Sequence, residues 1–189
     1  EMCIRDRGND LLKGNEGNDL LYGGQGDDTL DGGTDDDLVL GGKGKDTVLG
    51  DMGDDLLHGG KDDDLVLGGI GKDTVLGEVG NDLLEGNEDD DLLYGGQGDD
   101  TLRGGEGSDR FVLAPGNGSD IIQDFEDGID LLQLDGGLAF ENLTLTEESG
   151  ITVITFGNQR LALVSGVASS LLTREDFLIP ESENQTMFG

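Results

Sequence analysis

The sequence predicts an all-β solenoid with two nonapeptides per coil, followed by a β-rich C-terminal segment. Three observations point there: a nine-residue repeat that runs unbroken over residues 5–112, a shortage of large side chains, and a shift in composition at Leu113.

Composition sets the bounds. The 189 residues include 36 Gly, 2 Pro and no Trp, with 4% aromatic residues and a formal net charge of −32. So few large side chains cannot fill a thick core, and the apolar residues must be spread along an elongated body. So acidic a chain repels nucleic acid and anionic membranes, which are recognised through Lys and Arg, and attracts cations. Composition alone would equally suit a disordered acidic segment; the periodicity argues against that. The single cysteine, Cys3, excludes an intrachain disulfide and a cysteine zinc site. No stretch approaches the roughly 20 apolar residues of a transmembrane helix, and no secretory leader is visible. The chain opens on Glu1 and reads as a fragment; residues 1–4 carry no assignment.

The repeat is the main fact. Residues 5–112 divide into twelve blocks of nine, of which GGQGDDTLD at 23–31 shows the pattern G-G-x-G-x-D-x-L-x. Position eight is Leu, Val or Phe in all twelve, from Leu12 to Phe111, and position six is always Asp. Gly fills position one in eleven blocks and position four in nine. Residues 32–58 closely match 59–85, as recent duplication would leave them.

Each residue type has a physical task. Glycine at positions one, two and four permits the positive φ that a tight turn needs, and it leaves carbonyls open to an ion. The last three residues of a block suit a short strand, whose alternation sends position eight inward and positions seven and nine outward. Turn, strand, turn, strand makes one coil, and six coils at about 4.8 Å spacing make a rod roughly 29 Å long. The 18-residue coil stacks the aspartates in two rows: Asp10, Asp28, Asp46, Asp64, Asp82 and Asp100 in one, Asp19, Asp37, Asp55, Asp73, Asp91 and Asp109 in the other. Five gaps per row offer up to about ten sites where carboxylates and carbonyls converge. Such hard oxygens suit Ca²⁺, which accepts six to eight ligands in flexible geometry, better than Mg²⁺, which demands an octahedron.

Charge makes the ion necessary. Residues 5–112 hold 29 acidic and 9 basic side chains, and stacked carboxylates repel strongly without counter-ions. One inward side chain per nonapeptide does not offset the conformational entropy of ordering it. Metal binding must therefore supply much of the folding free energy.

These blocks resemble the RTX (repeats-in-toxin), or haemolysin-type, calcium-binding repeats. The resemblance implies a right-handed parallel β-roll in which position-six aspartates bridge successive coils, aided by loop carbonyls. It also implies export by bacteria through type I secretion machinery, with an uncleaved C-terminal signal, and folding on contact with extracellular calcium. Some blocks depart from the pattern: position two is Asp6, Asn15, Asp51, Glu78 or Asn87 in five, and position four is Asp35, Asp62 or Asp89 in three. Asp and Asn tolerate left-handed backbone better than most residues. Arg5, Asp6 and Arg7 replace the leading glycines of block one, which makes Asp10 the weakest candidate ligand.

Residues 113–178 read as a capping segment, which a solenoid needs to close its open end, and 179–189 as a flexible tail. Gly116, Gly118 and Asp120 form a degenerate repeat displaced two residues from register, making Asp120 a candidate last ligand. Strand-like runs follow at 121–125, 129–134, 143–146, 151–156 and 161–164, with a short helical turn expected over 173–178.

The leading functional reading is a calcium-dependent folding and secretion module of an exported bacterial protein. The alternatives are the C-terminal part of a secreted protease, lipase or epimerase, or an extracellular adhesin with a cell-surface partner. No H-E-x-x-H, G-x-S-x-G or cysteine–histidine pairing occurs, and the only histidine, His58, sits at an outward strand position. Catalysis is therefore expected only from an upstream domain. Leu38, Leu40, Leu49, Leu65, Leu67 and Leu76 also point outward, as scattered surface leucines or as a contact face. Thr29, Thr47, Thr74 and Thr101 share their faces with Leu and Arg, which disfavours a regular ice-binding ladder.

Overall fold

The computed structural model of the chain describes residues 2–4 and 7–179. Residues 1, 5, 6 and 180–189 lie outside the described residues, and with them Asp6 and nearly all of the expected tail. Each nonapeptide contributes half a coil, and successive half-coils alternate between two facing sheets. One sheet stacks Met2–Ile4, Leu20–Gln25, Leu38–Lys43, Leu56–Lys61, Thr74–Val79, Leu92–Gln97, Arg110–Leu113, Leu131–Leu134 and Phe177–Leu178 in parallel. The other stacks Leu11–Glu16, Thr29–Thr34, Thr47–Met52, Leu65–Ile70, Leu83–Glu88, Thr101–Glu106, Asp120–Ile122 and Gln159–Ser165 in parallel. The strands Ile151–Phe156 and Leu143–Glu148 then extend that sheet in antiparallel fashion. The result is an all-β parallel solenoid with an 18-residue coil, as in the pairing Leu38↔Leu56.

Position eight does face inward. Leu21, Leu30, Val39, Val48, Leu57, Val66, Val75, Leu84, Leu93 and Leu102 are each 0% exposed and form a single file between the sheets. The file ends at Phe111, whose ring lies 6.2 Å from that of Phe125 at the head of the C-terminal core. The outward leucines Leu38, Leu40, Leu49, Leu65, Leu67 and Leu76 are half-buried, flanked by paired residues of the adjacent coils such as Tyr22 and His58 on either side of Leu40.

The strands are longer than the three residues expected. Leu38–Lys43 joins the end of one block to the first three residues of the next, because parallel pairing carries on through the glycines, as at Gly24↔Gly42 and Gln25↔Lys43. The glycines also divide their tasks differently from the expectation. Positions two and four do take positive φ, as at Gly42 (118°) and Gly44 (117°). Position one does not; it must be glycine for lack of space. The departures from glycine keep the loop shape: Asn15, Asp35, Asp51, Asp62, Glu78, Asn87 and Asp89 lie between 73° and 87°.

Parallel stacking runs past residue 112, with longer turns. The step to the next coil lengthens at Thr101↔Ile121 and lengthens again at Arg110↔Leu131. The C-terminal strands match the expected runs in place, although the first is only Asp120–Ile122 and the second begins at Leu131. The expected helical turn is a 3-10 turn at Arg174–Asp176, capped by Thr173 and followed by the strand Phe177–Leu178. Apolar side chains including Leu134, Ile154, Leu161, Val164 and Phe177 close this end. We propose 5–112 and 113–178 as the working division into roll and cap. No helix among the described residues is long and apolar enough to cross a membrane.

Candidate metal centre

The aspartates at position six are placed by the turn that follows each glycine-rich strand end. There the chain reverses toward the opposite sheet and tucks the side chain beneath its own loop. From Asp19 to Asp109 they are all buried, with exposures of 0–5%; Asp10, at the open end, is half-buried.

They form two continuous ladders. In the first, the backbone N–H of Asp28 donates to Oδ1 of Asp46, that of Asp46 to Asp64, and that of Asp64 to Asp82, each at 2.8 Å. Asp10 joins below and Asp100 above by the same bond, and the N–H of Asp100 donates to Oδ1 of Asp120 at 3.3 Å. The candidate ligand Asp120 therefore stands on this row. The second ladder runs from Asp19 through Asp37, Asp55, Asp73 and Asp91 to Asp109, with distances of 2.7–2.9 Å.

One hydrogen bond satisfies Oδ1 and leaves the other oxygen over. Oδ2 of Asp28, Asp37, Asp46, Asp55, Asp64, Asp73, Asp82, Asp91 and Asp109 is buried and accepts no hydrogen bond, which is costly for an ionised group unless a cation meets it. This oxygen faces the gap to the next coil. A Cβ added at Gly41 would lie 2.7 Å from Oδ2 of Asp46 and 2.5 Å from the carbonyl oxygen of Gly59. At Gly59 the corresponding distances are 2.7 Å to Asp64 and 3.1 Å to Gly77. From Gly14 to Gly86 each position-one glycine thus has a carboxylate oxygen and a carbonyl oxygen of the next coil around a spot that only glycine leaves open. Among the described residues no three His, Cys, Asp or Glu side chains gather into a closed metal cluster; the carboxylates are spaced one per coil, and backbone oxygens must complete the set. Such hard donors fit Ca²⁺.

The electrostatics agree. Burial, with neighbouring carboxylates adding to it, pushes Asp46, Asp55, Asp82 and Asp109 up to about 6, Asp73 to about 7, and Asp64 and Asp91 to about 8. Burial and then Asp100 carry Asp120 to about 8. Between the ordinary carboxylate range near pH 4 and these raised values, the folded chain binds more protons than the unfolded one. Without a cation the fold accordingly loses stability as pH rises through that window. In EGTA we expect circular dichroism to show more strand at pH 5 than at pH 8; equal or greater strand content at pH 8 would refute this.

Two features escaped the sequence reading. Asp130 extends the second ladder, its Oδ1 accepting the N–H of Asp109 at 3.0 Å. Its signal was Gly128-Ile129-Asp130-Leu131-Leu132, which repeats positions four to eight of the nonapeptide. Position five builds an outer ladder of opposite polarity: the N–H groups of Lys45 and Lys72 donate to Oδ1 of Asp27 and Asp54, and Lys45 Nζ pairs with Asp63 at 2.7 Å. His58, on the outer surface, has its Nδ1 2.7 Å from Glu78 Oε1.

In structure the chain is similar to extracellular lipase LipA from Serratia marcescens, with TM-score 0.52 and 21% identity over 94% of this chain. It spans 39% of the lipase, and at that identity the likeness is one of fold. It is also similar to the AlgE6R3 subunit of the Azotobacter vinelandii mannuronan C5-epimerase, with 27% identity, TM-score 0.34, and coverage of 73% of this chain and 82% of that one. No curated protein matches the chain. The family model described as RTX calcium-binding nonapeptide repeat (4 copies) matches residues 6–39, 22–57, 40–75, 49–84, 76–111 and 85–122. Those segments cover more than half of the sequence and coincide with the two ladders, and the chain belongs to the RTX calcium-binding nonapeptide-repeat family.

Proposed function

We propose that the chain is a calcium-dependent folding and secretion module of an exported bacterial protein. The observation that carries this reading is the row of buried, unpartnered Oδ2 atoms, which from Asp28 to Asp91 lie beside a carbonyl oxygen of the next coil. The twelve position-six aspartates and Asp120 serve as the ligands, with Asp10 the weakest. When bound, calcium supplies the positive charge that lets the carboxylates stack ionised. The chain's own part is to hold Oδ1 by a backbone N–H, to keep position one free of a Cβ, and to exclude water with the inward file of Leu and Val. Extracellular calcium modules commonly bind at about 10⁻⁴–10⁻³ M, so the chain stays unfolded where calcium is scarce and folds outside the cell, which suits passage through type I secretion machinery.

Isothermal titration with Ca²⁺ and with Mg²⁺ tests the assignment. Several Ca²⁺ ions per chain should bind, up to about ten, with little response to Mg²⁺. No calcium uptake, or equal uptake of both ions, would overturn it.

A further inference from the structure

The second row has one more gap than the repeats provide. In earlier gaps of this row Oδ2 of the aspartate faces a glycine carbonyl one coil on, as Asp37 and the Gly50 carbonyl do about Gly32 (2.5 and 3.0 Å from an added Cβ). Asp109 repeats its half of the arrangement. It is 1% exposed, its Oδ2 lies against Gly104 where a Cβ would collide with it, and that oxygen accepts no hydrogen bond. The other half differs, because the next turn has no glycine there. Asp124 stands in its place, with Oδ1 accepting the N–H of Gly104 at 3.0 Å and Oδ2 that of Gly105 at 3.1 Å.

Two carboxylates are thus brought to one glycine, Asp109 from its own loop and Asp124 from the next coil. Each oxygen of Asp124 accepts one N–H, and a carboxylate oxygen has a second lone pair free. Asp130 fixes the far end of the turn with both oxygens used, Oδ1 by Asp109 N–H at 3.0 Å and Oδ2 by Glu126 N–H at 2.8 Å. Asp124 is half-buried and borders a surface cleft with Glu85, Glu88, Glu106 and Arg103, so a cation has a way in from solvent. Both Asp124 and Asp130 lie beyond residue 122, where the family match ends.

We propose that the loop 104–109 and the turn 124–130 enclose one more divalent-cation site, in which the Asp124 carboxylate takes the place of a glycine carbonyl. Asp109 and Asp124 supply carboxylate oxygens and Asp130 positions the turn. The ion joins the last repeat coil to the cap. This rests on the calcium reading above.

Asp124→Asn tests it, since the amide oxygen still accepts the Gly104 N–H while the charge and the Gly105 hydrogen bond are lost. Calorimetry should count one Ca²⁺ fewer per chain than in the wild type. An unchanged count in a wild type that does bind calcium overturns this site alone, whereas a wild type that binds none overturns the underlying reading. A crystal structure of the calcium-loaded wild-type chain decides the matter without any variant. Anomalous density between the carboxylates of Asp109 and Asp124 supports the site; ions in the other gaps and none there overturns it.

Discussion

Chelation should unfold the roll. In EGTA at pH 8 we expect far-ultraviolet circular dichroism to lose most of its strand signal, and millimolar Ca²⁺ to restore it. The reason lies in how little else holds the coils together. Each nonapeptide buries one Leu, Val or Phe fully, a contribution of about 1.5–3 kcal/mol, while ordering costs roughly 1–2 kcal/mol for every residue of backbone. The parallel ladders satisfy backbone groups but add modestly to net stability. Against this stand two columns of buried carboxylates, in which burial raises the proton affinity of members such as Asp64 and Asp91. On the proposed reading a cation in the gaps removes that penalty and ties one coil to the next, so chelation releases many coils at once. Identical spectra in EGTA and in calcium would sink the claim that ions hold the coils.

Gly41→Ala should be strongly destabilising although its backbone could accept alanine. Position one lies outside the positive-φ region, where replacing glycine ordinarily stabilises a fold by about 0.4–1 kcal/mol through the unfolded chain. Here the added Cβ would sit 2.5 Å from the Gly59 carbonyl oxygen and 2.7 Å from Oδ2 of Asp46. Neither can retreat: one is backbone held in a ladder, and the other is a short, buried side chain. Overpacking of this kind costs about 1–3 kcal/mol, and the intruding methyl occupies the space between the two oxygens of the proposed cation site. We expect a lower thermal midpoint in calcium and weaker calcium binding. Gly17→Asp should do far less harm, because a Cβ there meets nothing within 4 Å and Asp35, Asp62 and Asp89 already occupy the same position of the repeat with positive φ. A Gly41→Ala protein as stable and as calcium-avid as the wild type would show that position one is not part of the site.

Much of this was written in the sequence, because a strict period maps directly onto space. With two nonapeptides to a coil, the position-six Asp of every block falls on one of two rows and every position-eight side chain falls on the axis. The fold class, the inward file and the aspartate ladders from Asp10 to Asp109 follow from that alone. What the tertiary structure decided lies where the period breaks or where distant segments meet. The lengthened steps beyond Leu113 bring Asp130 onto its row, and Asp120, which the sequence offered as a candidate out of register, onto the other. The need for glycine at position one came from a carbonyl oxygen on the next coil, not from local backbone preference. Asp124 reaches Gly104 only because the cap continues the parallel stack. Local periodicity sets which way a side chain points; only the packing of one coil on the next decides what it meets there.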